Sequence, residues 1–394
     1  RIREMLNVAN SRDPDGEYLF SGFKGRTVPF TQAPSGAVTY AGDQGQRSVQ
    51  VGTDQRVALA DSGHDAFVAI RTGNGTFSVA DNATNTGSGV IDPGIVSDAS
   101  AYVADTYSII MSADSGVAGG AIGLVDTGVN DTLTYELRIN GVLVDTLNEG
   151  GTRNLTQLES AINGTSGATG VQAHVDAGRL LLSNTPAGNG IIINETLIGA
   201  SEDTDTVTGF FGGALSGITT PSVSTDLGGA ADAFVVLNSG GSIQTSGNYV
   251  EHATITFNGI QTAIHGGPEQ GDTFTVAPSQ NQDVFTTLTN LASALNSDGA
   301  SLNNALNRAV INIDRAMDNL VIVRTEVGAR QNSLDTQEDV NADFTVELKT
   351  TLSSLRDLDY TEAASRLNQQ LLALQAAQQA FVRVQNLSLF NFLG

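Results

Sequence analysis

Leu306-Asn-Arg-Ala-Val310-Ile-Asn-Ile313-Asp-Arg-Ala-Met317-Asp-Asn-Leu320-Val-Ile-Val-Arg-Thr-Glu-Val327 opens the stretch that decides the reading of this chain. Steps of seven from Leu306 give Ile313, Leu320, Val327, Leu334, Asn341, Leu348 and Leu355, an apolar column broken once. That is heptad spacing, the mark of a helix with a long seam. Positions four residues further on are apolar at first (Val310, Met317) and then polar (Arg324, Gln331, Glu338, Thr345), so the seam starts broad and narrows. An apolar stripe of this length is expected to lie against something. For Leu306, Ile313, Leu320, Val327, Leu334, Leu348 and Leu355 the ordinary expectation is an intramolecular bundle with the N-terminal helix.

After Leu355-Arg-Asp-Leu-Asp359 a second helix is announced by Asp359 and Glu362, the capping-box spacing. Its stripe is Ala364, Leu367, Leu371, Leu374, Phe381 and Val384, and the chain closes on Leu387, Leu389, Phe390, Phe392 and Leu393. Beyond Glu362 the only charged side chains are Arg366 and Arg383. A large apolar group left in water forgoes roughly 1.5 to 3 kcal/mol, and an isolated helix of this kind is marginal. The tail is therefore expected to be covered by another chain.

The chain holds 394 residues, room for two to four domains. With 44 glycines and 15% charged residues, turns and short strands are expected in number. The absence of Cys excludes disulfides, zinc–thiolate sites and thiol nucleophiles, and fits an extracellular protein held by packing alone. A net charge of -23 argues against nucleic acid and anionic membrane, both of which select Lys and Arg. No apolar run reaches a membrane span, and the first residues lack the order of a secretory signal, so export by another route is expected.

Ile2, Met5, Leu6 and Ala9 follow helical spacing with nothing ahead of them to cap a helix, which leads us to expect that the natural chain continues upstream. Short β-prone runs follow at Glu17–Phe23, Ala37–Tyr40 and Arg47–Val51, the last two read as a hairpin, then at Ala66–Ile70 and Thr106–Ile110. A unit from about Asp114 to Pro221 has its own pattern, with strands at Leu133–Ile139, Gly141–Val144, Val171–Val175, Arg179–Leu182 and Ile191–Ile193 and a helix from Asn154 to Asn163. Strands resume at Ala253–Phe257, Ile260–Ile264 and Thr273–Val276 before helices return with Phe285, Leu288, Leu291 and Leu295 on one face. Helices therefore bracket a long β-rich middle.

Catalytic constellations are missing. The histidines His64, His174, His252 and His265 are scattered, without metal-ligand spacing, and no nucleophile elbow, phosphate loop or dinucleotide fingerprint occurs. Ser201–Asp205 and Asp126–Asp131 supply oxygen ligands but not the EF-hand spacing, and read as solvated loops. No catalytic, cofactor or metal residue is assigned, and an enzyme is not expected.

Asn10-Ser-Arg-Asp-Pro-Asp-Gly-Glu-Tyr-Leu-Phe-Ser-Gly-Phe23, Ile255–Gln261, Gly271–Val276, Asn281–Phe285, Val327–Arg330 with Asn332–Asp335, and the closing Leu387–Leu393 together resemble the bacterial flagellar hook-associated protein 3 family, the hook–filament junction branch of the flagellin superfamily. The likeness covers about 1–70 and 245–394, and Leu155–Asn163 with Gly170–Val175 is similar to an insertion module of flagellins.

The resemblance implies an α+β multidomain fold, with a helical coiled-coil or bundle domain from both chain ends and β-rich domains from the central insert. The implied layout is a helical domain with a hairpin at 1–60 and 278–355, a β-rich domain at 61–113 and 222–277, an inserted small β-rich domain at 114–221, and a coiled-coil assembly helix at 356–394. It also implies export through the flagellar type III apparatus, an export chaperone on the C-terminal helix, and an extracellular ring joining the adjacent hook-associated protein to flagellin. One departure is that the N-terminal helices which pair with Ala363–Leu393 in the family do not precede Arg1 here. A filament flagellin is the nearest alternative, although flagellins close on a Leu-Leu-Arg type sequence. An acidic adhesin or glycan-binding protein is the alternative of another class, without an aromatic cluster to support it.

Overall fold

A computed structural model describes residues 2–52, 55–118, 122–123, 134–148, 151–185, 187, 190–198, 206–211, 214–216, 222–296 and 299–386. The helices are α1 (Ile2–Ala9), α2 (Leu155–Gly164), α3 (Ser166–Thr169), α4 (Val284–Ala294), α5 (Gly299–Arg356) and α6 (Tyr360–Asn386), and antiparallel sheets fill the middle. Two compact units result, one of Arg1–Arg47 with Leu59–Thr325, the other of Ser48–Ala58 with Glu326–Gly394. The α+β multidomain architecture expected from the sequence is the one observed.

In the first unit, α1, α4 and the start of α5 enclose an aromatic core. Phe285 of α4 meets Phe30 at 5.3 Å and Phe67 at 6.5 Å between ring centroids, and Ala9 and Ala316 close the cluster. Phe67 arrives on a π-helical turn, His64–Val68, where the β-prone run Ala66–Ile70 predicted a strand. The turn buries the adjacent pair Ala66 and Phe67 together, which a strand would send to opposite faces. Only Ile70–Arg71 is extended, paired with Asn281–Gln282.

The expected hairpin between Ala37–Tyr40 and Arg47–Val51 is also corrected. Val38–Tyr40 pairs back onto Phe30–Gln32, and Ser48–Gln50 pairs forward onto Arg56–Ala58. Pro34-Ser-Gly36 supplies the nearer turn, with Gly36 at a φ of 90° and its N–H on Ala33 O. Glu17–Phe23 forms turns and a single bridge, Arg12 to Tyr18, rather than a strand.

A seven-stranded sheet runs in the order Val171–Asp176, Arg179–Asn184, Tyr107–Ala118, Ala233–Leu237, Ile243–Asn248, with Thr273–Pro278 joining Tyr107–Ala118 to Phe77–Asp81. Phe77, Tyr107, Ile109, Met111, Phe257 and Phe274 fill one core against it. The twelve-residue strand Tyr107–Ala118 passes through position 114, so strands of the expected insert and of its neighbour hydrogen-bond to the same strand. Thr254–Phe257 and Ile260–His265, within the runs read as strands, pair as a hairpin over Asn258 and Gly259 at φ of 43° and 73°.

The remaining lobe is a four-stranded sheet, Val142–Asn148, Thr134–Ile139, Ile192–Ile198, Ser222–Asp226, with α2 over the core it shares with Val171, Leu180 and Leu182. Tyr135, Leu137 and Ile139 face inward, as their alternation predicts. Asn154 caps α2, its Oδ1 accepting from Gln157 N at 2.8 Å while Gln157 Oε1 accepts from Asn154 N at 3.0 Å.

Glu195 lies in this core, 1% exposed, accepting from Tyr135 Oη at 2.5 Å and Phe211 N at 3.3 Å. Burial pushes its carboxyl up from the ordinary glutamate value, outweighing these hydrogen bonds. A raised folded-state value means stability that is complete below the ordinary value and lost as pH rises through the raised one. Wild-type thermal stability is therefore expected to fall relative to Glu195→Gln as pH rises above the ordinary glutamate value. Parallel calorimetric curves for the two proteins would refute this.

Candidate assembly surface

The helical region carries the residues singled out by the heptad reading, and the structure sorts them. Within the first unit Leu306, Ile313 and Leu320 are half-buried on one flank of α5. The fully packed positions are Asn304, Ala309 and Ala316, while Val310, Met317 and Val321 are exposed. Polar side chains therefore line the packed side of this part of α5. Asn304 reaches Ile91 N and Gly89 O, Asn312 reaches Gly73 N, Arg315 reaches Asn74 O, and Asn319 reaches Asp65 O and Ala66 O. Sequence reasoning missed them, because Asn and Arg opposite an apolar column read as a solvated face. The signal available was Ala309 and Ala316, seven apart beside Asn312 and Asn319, a stripe of small residues where a backbone can approach.

In the second unit the hairpin Ser48–Ala58 lies along α5. Gln55 Nε2 donates to Ser333 Oγ at 2.5 Å, Asn341 Nδ2 donates to Val51 O at 3.3 Å, and a Cβ on Gly52 would stand 2.9 Å from Gln337. Ser333, Gln337 and Asn341 are successive turns of one face. Asn341, the polar break in the heptad column, thus takes a hydrogen-bonding position. From Glu338 to Glu362 every residue is exposed, Leu348 and Leu355 among them, as are Val327 and Leu334.

Asp359 opens α6 as its sequence predicts, accepting from Thr361 N at 2.8 Å and Glu362 N at 3.1 Å. Arg366 pairs with Glu362 at 2.7 Å, an exposed i,i+4 pair worth a few tenths of a kcal/mol at most. Leu367, Leu371, Leu374, Phe381 and Val384 are between 47% and 67% exposed. Leu372 and Val382, off the heptad stripe, are exposed as well, which widens the apolar face beyond the residues expected. Leu387, Leu389, Phe390, Phe392 and Leu393 lie outside the described residues, as do Asp126–Asp131 and Ser201–Asp205.

Other chemistry is sparse. His252 and His265 meet at 4.4 Å between ring centroids, and His265 Nε2 is 2.7 Å from Asp92 Oδ1. Among the described residues no group of three or more His, Asp or Glu side chains is arranged to hold a metal ion, and no helix is long and apolar enough to cross a membrane.

The long α5 and α6, with bare leucines along α6, resemble the helical region of a flagellin-like chain. Residues 310–393 match the family of the bacterial flagellin C-terminal helical region. Within that class the resemblance is to flagellar hook-associated protein 3, as the motifs at both flanks imply. The chain is 26% identical over 146 residues to that protein of Escherichia coli K12, covering 37% of this chain and 43% of the relative. It is 33% identical over 67 residues to that of Salmonella typhimurium LT2, 17% of this chain and 20% of the relative. The matched stretches thus span less than half of either curated relative. The crystal structure of flagellar hook associated protein-3 from Legionella pneumophila superposes with a TM-score of 0.57 at 21% identity, over 91% of this chain and 79% of that one. Xanthomonas campestris FlgL does so with a TM-score of 0.57 at 23% identity, over 90% and 78%. At these identities the structures establish the fold.

Proposed function

We propose that this chain is a structural subunit of the bacterial flagellum that joins hook to filament, assembling as a ring through its terminal helices. The observation that carries this reading is the uncovered apolar face of α6 within the segment that matches the flagellin C-terminal helical region. Its partners on this reading are further copies of itself, the adjacent hook-associated protein, flagellin, and an export chaperone that holds Leu367, Leu371, Leu374 and Phe381 until assembly. Export runs through the flagellar type III system to an extracellular site, with no enzymatic step and no cofactor, nucleic acid or membrane involved. The inserted lobe at 114–221 and its neighbours are the outward part of the subunit, and Leu306 to Leu355 is the seam of its helical domain.

Because the chain contains no Cys, one cysteine at exposed Val250 gives a unique site for a gold label. Electron microscopy of labelled cells is expected to place gold at the hook–filament junction. Label along the filament shaft would indicate a flagellin-type subunit instead, and label spread over the cell body would indicate an adhesin.

A further inference from the structure

We infer that the first half of α5 is fastened to the β-rich body by a shear clamp, a ladder of side chains that stops the helix from sliding along its own axis. Asn304, Arg308, Asn312, Arg315 and Asn319 recur at intervals of four, four, three and four, one face of the helix. Their partners run the other way along the chain. Asn304 Oδ1 accepts from Ile91 N and its Nδ2 donates to Gly89 O, both at 2.9 Å. Arg308 pairs with Asp81, whose side chain is 6% exposed. Asn312 Oδ1 accepts from Gly73 N at 2.8 Å, and Arg315 donates to Gly73 O at 3.3 Å and Asn74 O at 2.7 Å. Asn319 Nδ2 donates to Asp65 O at 2.8 Å and Ala66 O at 3.0 Å. From Asn304 to Asn319 the partners retreat from Ile91 to Asp65, with Asn312 and Arg315 sharing Gly73, so the two segments are laced antiparallel.

The lacing adds fixed polar partners to a contact whose fully buried apolar side chains on α5 are both alanines. Ala309 and Ala316, both almost fully buried, bring the helix close, and its large apolar side chains there, Leu320 and Val323 on the aromatic core among them, are only part-buried. Such a contact resists separation through burial but slides at small cost. Four of the five rungs end on backbone groups, in the strand residue Ile91, the loop at Gly89, the turn at Gly73 and Asn74, and the π-helical turn. Gly73 shows the fit most clearly, offering its N–H to Asn312 and its C=O to Arg315 at a φ of 61°, where a Cβ would stand 2.2 Å from Phe77 O. A force along α5 loads all five rungs together, whereas a force lifting one end breaks them in turn. The geometry is therefore strong in shear and weak in peeling. The mechanical purpose rests on the flagellar reading, in which the helices sit in a rotating structure and the β body outside it; the clamp rests on the geometry alone.

The test is single-molecule pulling on the full chain, with cysteine handles at Thr325 and Gly240 for the axial direction and at Asn303 and Gly240 for peeling. Asn312→Ala with Asn319→Ala is expected to lower the axial rupture force by roughly a third or more, since two of five load-sharing rungs are lost. It is expected to leave the peeling force nearly unchanged, because the Asn304 and Arg308 rungs break first. Met317→Ala, on the exposed side of the helix, should change neither. If the double variant does not fold, Asn319→Ala alone gives the same comparison with one rung removed. An axial force unchanged in a folded variant, or an equal loss in both directions, overturns the clamp. The isolated chain is pulled, so this outcome is independent of where the gold label lies in cells.

Discussion

Leu374→Glu is expected to abolish incorporation of the chain into its assembly while leaving both large sheets folded. Leu374 is exposed in the isolated chain, so the substitution removes no internal contact and its cost to folding is small. On the proposed reading the cost appears on assembly, when the stripe Leu367, Leu371, Leu374, Phe381 and Val384 would be covered. An unpaired carboxylate buried in an apolar seam costs on the order of 3 to 5 kcal/mol, and every copy in a symmetric assembly repeats it. A chaperone groove that reads the same face should lose affinity in parallel. Val250→Glu is the matched control, an exposed apolar residue outside the helices changed in the same way. Motility, filament retention by electron microscopy, and chaperone binding by calorimetry report the three effects. Normal, firmly attached filaments in Leu374→Glu cells would remove α6 as the assembly surface, and with it the main physical support for the functional reading.

The second large effect is on stability. Phe285→Ala is expected to cost about 3 to 5 kcal/mol, the range for emptying a buried aromatic site, against a total of roughly 5 to 15 kcal/mol for a typical domain. The ring is 1% exposed and packs among Phe30 and Phe67, so its loss opens a cavity where α4, the π-helical turn and the first hairpin meet. Leu295→Ala, a residue the helical spacing puts on the same face as Phe285, should be nearly silent because Leu295 is 64% exposed just past the end of α4. Urea unfolding followed by circular dichroism separates the two. Equal midpoints for both variants would mean that the aromatic cluster does not hold this region together.

The contrast between Phe285 and Leu295 shows how far the residues alone could be read. Alternation located the strands wherever one face is buried and the other wet, as in Tyr135, Leu137 and Ile139. Local chemistry located helix starts, since Asp359 and Asn154 satisfy N–H groups within three residues of themselves. Strand pairing was less legible: nothing in Val38–Tyr40 says whether its partner precedes or follows it, and the turn at Pro34-Ser-Gly36 decides. The π-helical turn was missed because Ala66-Phe-Val-Ala-Ile70 has β propensity, overridden by two adjacent buried positions and by the hydrogen bonds Asn319 makes to its carbonyls. The packed side of α5 was missed for a related reason. A face of Asn, Arg and Ala is polar by composition, and only the distant backbone groups that it meets make it an interior. The apolar stripe of α6 stays bare, so no tertiary contact among the described residues competes with the pattern in the sequence.

The strand Tyr107–Ala118 sets terms for anyone who would use this protein as a scaffold. Its first half pairs with Ala233–Leu237 and Thr273–Pro278, and its second half with Arg179–Asn184. Leu181 shares a small buried cluster with Ala233 and Val235. Arg179 also spans the two, bonded to Asp114 at 3.0 Å and to Asn248. Excising residues 114–221 would leave an open ladder edge beside newly bared Ala233 and Val235, the kind of border that recruits other chains into sheet. A foreign module grafted there must bring its own strand for that edge, and the lobe is better regarded as a sleeve over the sheet than as a detachable cap.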